Sequence, residues 1–308
     1  MYINLLILTA GLVLMIYGAD FFVKGASSLA KKFHIPQIII GLTIVAMGTS
    51  APEAGISITS ALKGSAGVAI GNVLGSNIIN ILLILGLTST ICALKLQKSS
   101  VKYEIPFLIF ITLILSGMGY FYSSLNKYCG LILLALFLVF LTYLFNMAKN
   151  SPIEEEPIKI YNQVTTAIFI IAGIAGLICG SNLTVNSAIE IAHILNISDR
   201  IIGLTVVAIG TSLPELVTCI VAALKKQPDI AVGNIVGSNI FNILFVLGTT
   251  CVIQPVKFNG EFFFDAIIAI TSAILLYLCT FNDRALTRWE GIIMLAIYAA
   301  YLTSLIIK

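Results

Sequence analysis

The sequence predicts an all-α membrane protein of ten transmembrane helices, arranged as two inverted five-helix repeats. Three observations lead to this fold class: the composition, the number of long apolar runs, and an internal repeat. Of the 308 residues, 59% are hydrophobic and only 10% are charged, and the mean hydropathy is +1.06. A soluble domain carries about 25% charged residues, so this composition excludes a protein with a water-facing surface all round.

Apolar runs of about 20 residues are long enough to cross a bilayer as helices, and they recur along the whole chain. The first run lacks a basic flank and is followed by further runs, so we expect a first span and not a cleaved leader. The predicted spans lie near residues 3–24, 37–62, 67–90, 103–122, 128–147, 164–187, 200–224, 229–253, 262–280 and 287–306.

An internal repeat divides the chain into two halves. Residues 39–86 align with residues 201–248 at a constant offset of 162, and about 28 of the 48 aligned positions are identical. Because each half has an odd number of spans, the halves must insert with opposite orientation, which is a common architecture of secondary transporters. The predicted organisation is a first five-helix repeat (1–148), a cytoplasmic linker (149–163) and a second five-helix repeat (164–308).

The loop charges predict the orientation in the membrane. With the N-terminus outside, roughly eleven Lys and Arg residues fall in inside loops and five fall outside, as the positive-inside rule requires. We therefore expect a multi-pass protein of the cell (plasma) membrane with both termini outside. The basic residues are too scattered for nucleic acid; the expected partners are the lipid bilayer and inorganic cations, and no obligate protein partner is evident.

Two spans carry the same acidic motif. GTSAPE (48–53) ends at Glu53 and GTSLPE (210–215) ends at Glu215. A carboxylate in the bilayer costs about 2.5 kcal/mol or more, and it persists only where it faces a cavity, a partner or an ion. A pseudo-twofold axis would bring the two glutamates together near the midplane. Neither motif contains Lys or Arg, so the counter-charge must be a proton or a metal cation.

The prolines of these motifs, Pro52 and Pro214, predict a kink in each span. Proline lacks an N–H and crowds the carbonyl four residues earlier. We expect the carbonyls of residues 46–49 and 208–211 to lose their helical donors and become available as ligands, since unwound backbone at membrane depth is tolerated where it lines a cavity. The residues four positions before the glutamates share their helix faces, namely Thr49 and Thr211.

The next span of each half adds amides and hydroxyls. The motifs are GNVLGSN (71–77) followed by Asn80, and GNIVGSN (233–239) followed by Asn242. The groups in the four motifs that could bind a cation would do so through oxygen atoms, and the motifs contain no Cys or His. Oxygen ligands suit calcium and sodium, and magnesium less readily, whereas zinc, copper and iron prefer nitrogen and sulfur. For the flanking residues Asn77 and Asn239, a structural role is at least as well supported as a ligand role.

With these doubled motifs, the chain resembles the cation/calcium exchanger superfamily, especially the prokaryotic sodium/calcium antiporters, over essentially its whole length. The resemblance implies ten helices, with spans 2, 3, 7 and 8 as an ion-binding core and the long first and sixth spans as a sliding gate. It implies calcium ligation by the carboxylates of Glu53 and Glu215 and the carbonyls of Thr49 and Thr211. It also implies surrounding sodium sites, built from Ala46, Ser50, Ser76, Asn80, Ala208, Ser212, Ser238 and Asn242.

One departure from the family pattern concerns charge. Many relatives carry Asp in one repeat at the place of Asn80 or Asn242, and this chain has Asn at both. The site is therefore expected to hold at most two negative charges, which one Ca²⁺ or two Na⁺ neutralise. The expected function is exchange of Na⁺ for Ca²⁺ by alternating access, with both ions as transported substrates and no organic cofactor.

Three other functions compete with sodium/calcium exchange. A proton/calcium exchanger also uses paired carboxylates, although the many hydroxyl and amide ligands favour sodium. An ion channel is less consistent with inverted halves meeting at a two-carboxylate site. The chain is not expected to be an enzyme, because it shows no nucleophile constellation, His/Asp metal motif or cofactor loop.

Overall fold

The protein is almost entirely helical. The computed structural model describes residues 2–150, 159–195, 208–258 and 260–307. Short π-helical segments lie inside four of the helices. Within the described ranges the helices are α1 (Tyr2–Lys32), α2 (Gln37–Thr49), α3 (Ala51–Leu62), α4 (Ala66–Ile91), α5 (Ser100–Tyr122), α6 (Lys127–Asn150), α7 (Gln163–Ile194), α8 (Ala208–Thr211), α9 (Leu213–Leu224), α10 (Pro228–Ile253), α11 (Gly260–Phe281) and α12 (Arg288–Ile307).

Seven helices of the described part are long and apolar enough to cross a membrane, and the bent pair α2–α3 adds an eighth span if it crosses as one. The protein is therefore a multi-pass helical membrane protein. Residues 151–158 of the predicted linker and residues 200–207 of the predicted seventh span lie outside the described residues. The full set of ten spans in two inverted repeats stays a prediction.

Helices α1 and α7 are longer than the spans 3–24 and 164–187 predicted for them. They contain 31 and 32 residues, which corresponds to about 46 Å at about 1.5 Å per residue. The hydrocarbon core is about 30 Å thick, so both helices must tilt or project beyond it.

The two long helices pack against each other along their length, in opposite directions. A Cβ atom on Gly18 would lie 2.9 Å from the Leu177 backbone nitrogen, and one on Gly173 would lie 2.7 Å from the Phe22 nitrogen. These neighbours are backbone atoms that cannot move aside, so only glycine allows the helices to approach this closely. Helices α1 and α7 thus form one closely packed pair.

Helices α4 and α10 lie at the centre of the molecule. In the most apolar 18-residue segment of each helix, 72% of the residues are buried in α4 and 94% in α10, against 28–33% in α5, α6 and α11. The outer helices expose large apolar side chains such as Phe121 and Leu138, as a lipid-facing surface requires. The polar motifs of α4 and α10 are therefore held away from both water and lipid.

Two short antiparallel β pairs connect distant parts of the chain. Strand β1 (Leu94–Lys95) pairs with β4 (Ala285–Leu286), and β2 (Ser124–Leu125) pairs with β3 (Val256–Lys257). The residues of β3 lie 162 positions after those of β1, which is the offset of the internal repeat. Leu286 of β4 lies the same 162 positions after Ser124 of β2. Each pair therefore joins one half of the chain to the other, in equivalent places.

Candidate functional site

A break in the helix sets the position of each glutamate. Ser50 separates α2 from α3 with φ −83° and ψ 9°, and Ser212 separates α8 from α9 with φ −88° and ψ 5°. The bend between α2 and α3 is 50°. Glu53 and Glu215 consequently lie in the first turns of α3 and α9, where unpaired backbone N–H groups and the helix dipole favour negative charge.

Both carboxylates are buried, with Glu53 1% and Glu215 0% exposed. The Ser50 hydroxyl donates to Glu215 Oε1 over 2.8 Å, which joins the first half to the second. In the part of the chain that the structure describes, the ion pairs of Lys24 and Lys225 are with Asp20, and no basic side chain pairs with either glutamate.

The neighbouring hydroxyls also connect the two halves. The single hydroxyl hydrogen of Thr49 has more than one acceptor within reach, among them the Val45 carbonyl at 3.1 Å and Asn234 Oδ1 on α10 at 2.9 Å. Ser238 donates to the Ala46 carbonyl over 3.4 Å. Helix α10 is thereby bound to the end of α2, beside the break. Of the remaining predicted hydroxyl positions, Ser76 and Ser212 are buried, and the half-buried Thr211 is the last residue of α8.

The asparagines of α4 and α10 form a reciprocal set of four side chains. Asn80 Nδ2 donates to Asn239 Oδ1 over 2.8 Å, and Asn242 Nδ2 donates to Asn77 Oδ1 over 3.2 Å. Asn77 and Asn239 each donate to the other's backbone carbonyl, over 3.1 and 3.2 Å. The four side chains are at most 3% exposed. The structure therefore brings together the asparagine ligands predicted from both halves.

Four buried acceptor oxygens in this layer have no hydrogen-bond partner among the described residues: Glu53 Oε2, Glu215 Oε2, Asn80 Oδ1 and Asn242 Oδ1. An unsatisfied buried acceptor costs about 1–3 kcal/mol, and more when it is charged. The unsatisfied acceptors are all oxygens, and oxygen ligands suit a hard cation such as sodium or calcium. Asn234 Nδ2, which is a hydrogen-bond donor, also has no partner among the described residues. No cluster of three or more His, Cys, Asp and Glu residues occurs in the described ranges.

Two of the carbonyls expected to be free are occupied. The Ala46 carbonyl keeps a backbone donor, since the Ser50 N–H donates to it over 3.0 Å. Pro214 has no N–H to donate to the Gly210 carbonyl. That carbonyl instead accepts from the Ser181 hydroxyl of α7 over 2.9 Å. The prediction of free carbonyls was therefore wrong at Ala46 and Gly210. Ala208 begins α8, and nothing further about its predicted ligand role is tested.

Sequence reasoning missed Ser181, which lies on α7 and has no equivalent serine at the repeat offset, so no signal pointed to it. Asn72 donates to the Glu53 backbone carbonyl over 3.2 Å and to Ser57 Oγ over 3.0 Å. Asn72 and Asn234 stand at equivalent places in the repeated motifs, and the sequence left a functional and a structural role equally open for them.

The fold and the site together define a class of protein. The chain is a multi-pass helical membrane protein whose most buried helices carry a layer of oxygen donors, and each half contributes the same motif to that layer. Paired acidic motifs from repeated halves at a buried polar layer are characteristic of secondary transporters.

Comparison with known proteins identifies the family. The sequence model described as sodium/calcium exchanger protein matches residues 3–146 and 165–307, and the chain belongs to that family. It is 32% identical over 347 residues to the sodium/calcium exchanger MaX1 of Methanosarcina acetivorans, covering 98% of both chains. It is 33% identical over 314 residues to the inner membrane protein YrbG of Escherichia coli, covering 97% of this chain and 95% of that one.

Solved structures give the same result for the fold. The chain resembles a structure of the sodium-calcium exchanger NCX_Mj soaked with Na⁺ and Sr²⁺, with a TM-score of 0.86, 31% sequence identity, and coverage of 98% of this chain and 99% of that chain. The predicted superfamily is thereby confirmed. The relatives are transporters, which also confirms that the chain is not an enzyme.

Proposed function

We propose that this chain exchanges Na⁺ for Ca²⁺ across the cell membrane by alternating access, through a single central site containing Glu53 and Glu215. The observation that carries the proposal is the set of buried oxygens that have no donor among the described residues; two of them belong to carboxylates that no basic side chain pairs with in that part of the chain. The relatives named as sodium/calcium exchangers give the two ions that such a layer would bind.

The proposed architecture is ten spans in two inverted five-helix repeats, 1–148 and 164–308, joined by a cytoplasmic linker at 149–163, with both termini outside. It is supported by contacts that recur after exchange of the two halves. The reciprocal β pairs and the reciprocal asparagine hydrogen bonds are both of this kind. An approximate twofold axis lying in the membrane plane would produce such pairs.

The proposed calcium ligands are the two glutamate carboxylates and the carbonyls of Thr49 and Thr211. Sodium would bind around the same position. Its proposed ligands are Ala46, Ser50, Ser76, Asn80, Ala208, Ser212, Ser238 and Asn242. The Ala46 carbonyl oxygen accepts from the Ser50 N–H over 3.0 Å and from the Ser238 hydroxyl over 3.4 Å. Because a carbonyl oxygen has two lone pairs, the Ser238 hydroxyl must turn away before Ala46 can bind sodium.

Competition for the carboxylates would couple the two fluxes. The layer has two acidic side chains and no basic one in the described part of the chain, so one Ca²⁺ or two Na⁺ neutralise it. When the site holds these cations, the protein can change between the state open to one side of the membrane and the state open to the other at little electrostatic cost. An empty site leaves two unpaired charges in a medium of low dielectric constant, which is expensive. We therefore expect the empty carrier to move slowly, which prevents uncoupled leakage.

The α1–α7 pair is the proposed moving gate. Its close glycine contacts make it a single body, and the contact between Ser181 and Gly210 links it to the break beside Glu215. Sliding of this pair across the core would open the site to one side and then to the other.

Calcium uptake into proteoliposomes tests the proposal. ⁴⁵Ca²⁺ uptake driven by an outward sodium gradient should be strong for the unmodified protein and lost in Glu53→Gln and Glu215→Gln. Glu190→Gln makes the same chemical change at an exposed position on α7 and should retain uptake. Uptake that follows a pH gradient and ignores sodium would contradict the proposal in favour of proton/calcium exchange. Normal transport by both glutamate variants would exclude the proposed site.

A further inference from the structure

We propose that Asn77 and Asn239 are positioning residues that determine which side-chain atom of Asn80 and Asn242 faces the cations. This inference rests on the proposed function, since it concerns the same site. An asparagine side chain carries an acceptor at one end and a donor at the other. Only the orientation with the oxygen towards the site can bind a cation.

Two backbone carbonyls fix the orientation of the inner pair. Asn77 Nδ2 lies 3.1 Å from the Asn239 carbonyl oxygen, and Asn239 Nδ2 lies 3.2 Å from the Asn77 carbonyl oxygen. A carbonyl oxygen can only accept a hydrogen bond. The NH₂ group of each inner asparagine must therefore point to the opposite backbone, and its Oδ1 must point elsewhere.

The orientation of the outer pair follows from the inner pair. Asn77 Oδ1 lies 3.2 Å from Asn242 Nδ2, and Asn239 Oδ1 lies 2.8 Å from Asn80 Nδ2. Because an inner Oδ1 can only accept, each outer asparagine must turn its NH₂ group towards it. The outer Oδ1 atoms then face away, and neither of them has a donor among the described residues.

This arrangement also explains why both outer positions are amides. An ionised aspartate at position 80 or 242 would place an oxygen against an inner Oδ1, so that two acceptors face each other. Turning the inner amide would only move the conflict to the backbone carbonyl. The inner pair therefore selects a neutral ligand at both positions, which limits the charge of the site to Glu53 and Glu215.

Replacement of Asn77 by Leu tests the positioning role. Asn77→Leu keeps a similar shape but cannot orient Asn242, so we expect the sodium concentration for half-maximal ⁴⁵Ca²⁺ uptake to rise about three- to tenfold, the equivalent of one hydrogen bond. The half-maximal calcium concentration should stay unchanged, because the proposed calcium ligands do not include Asn242. The matched control is Thr250→Val on α10, whose hydroxyl bonds only within its own helix to Val246; both constants should be unaltered.

An equal change in both half-maximal concentrations, or no change in either, would overturn the positioning role while leaving sodium/calcium exchange itself intact. Failure of the unmodified protein to couple calcium to sodium would instead refute the proposed function.

A second variant remains informative if Asn77→Leu fails to fold. In Asn242→Asp, the new carboxyl must keep a proton in order to donate to Asn77 Oδ1. The ratio of its sodium-driven uptake to that of the unmodified protein should therefore fall as the pH rises. A ratio that is constant, or that rises with pH as a freely ionising third carboxylate would make it, contradicts the proposal.

Discussion

The hydrogen bond from Ser50 to Glu215 predicts an unequal effect of two serine-to-alanine substitutions. Ser50 is 0% exposed and its hydroxyl donates to Glu215 Oε1 over 2.8 Å. A hydrogen bond to a charged group contributes about 1.5–3 kcal/mol. In cation-free buffer at a pH where Glu215 is ionised, Ser50→Ala should lower the free energy of unfolding by that amount.

Ser272→Ala on α11 is the matched control, because it removes the same group from another buried serine. The Ser272 hydroxyl donates over 2.6 Å to the neutral Ile268 carbonyl of its own helix, so its removal should cost about 1 kcal/mol or less. Unfolding in mixed micelles titrated with SDS, in choline buffer with a calcium chelator, measures both values. Equal losses for the two variants would refute this interpretation of the Ser50–Glu215 contact.

Three further predictions concern packing, the ion pair of Asp20 with Lys225, and ligand binding. Gly173→Ala should destabilise the protein by about 1–3 kcal/mol through overpacking of α1 against α7, whereas Gly55→Ala, with open space around it, should be neutral or stabilising in the same micelle titration. Asp20→Asn removes a 2.5 Å ion pair with Lys225 that is about a quarter exposed, so it should cost up to about 1 kcal/mol, and the loss should shrink at high salt. Calcium at about 100 times its dissociation constant should stabilise the protein by about 2.7 kcal/mol; thermal unfolding should show that this gain is absent in Glu215→Gln.

The sequence predicted the features that depend on local chemistry and on the repeat. Each proline two residues after a serine required a break, and the breaks lie at Ser50 and Ser212. The offset of 162 indicated that the two GSN motifs would be equivalent. The buried glutamates could be predicted because an intramembrane carboxylate is rare and costly.

Features that depend on contacts between distant segments could not be predicted in this way. The first span was predicted to end near residue 24, yet α1 continues to Lys32, and residues of this continuation such as Ala26 and Ala30 are buried against other parts of the chain. The occupied Gly210 carbonyl depends on Ser181 from another helix. The orientation of the four asparagines arises only where the two halves meet, and no spacing along one helix encodes it.

In the proposed mechanism, calcium and sodium compete for one site that contains both glutamates. Equilibrium binding of ⁴⁵Ca²⁺ to the purified protein, titrated with NaCl against choline chloride, measures this competition. We expect a single calcium ion per chain, complete displacement by sodium with a dependence steeper than first order, and no binding by the Glu53→Gln, Glu215→Gln double variant. Calcium that stays bound at saturating sodium, or that still binds to the double variant, would contradict the proposed mechanism.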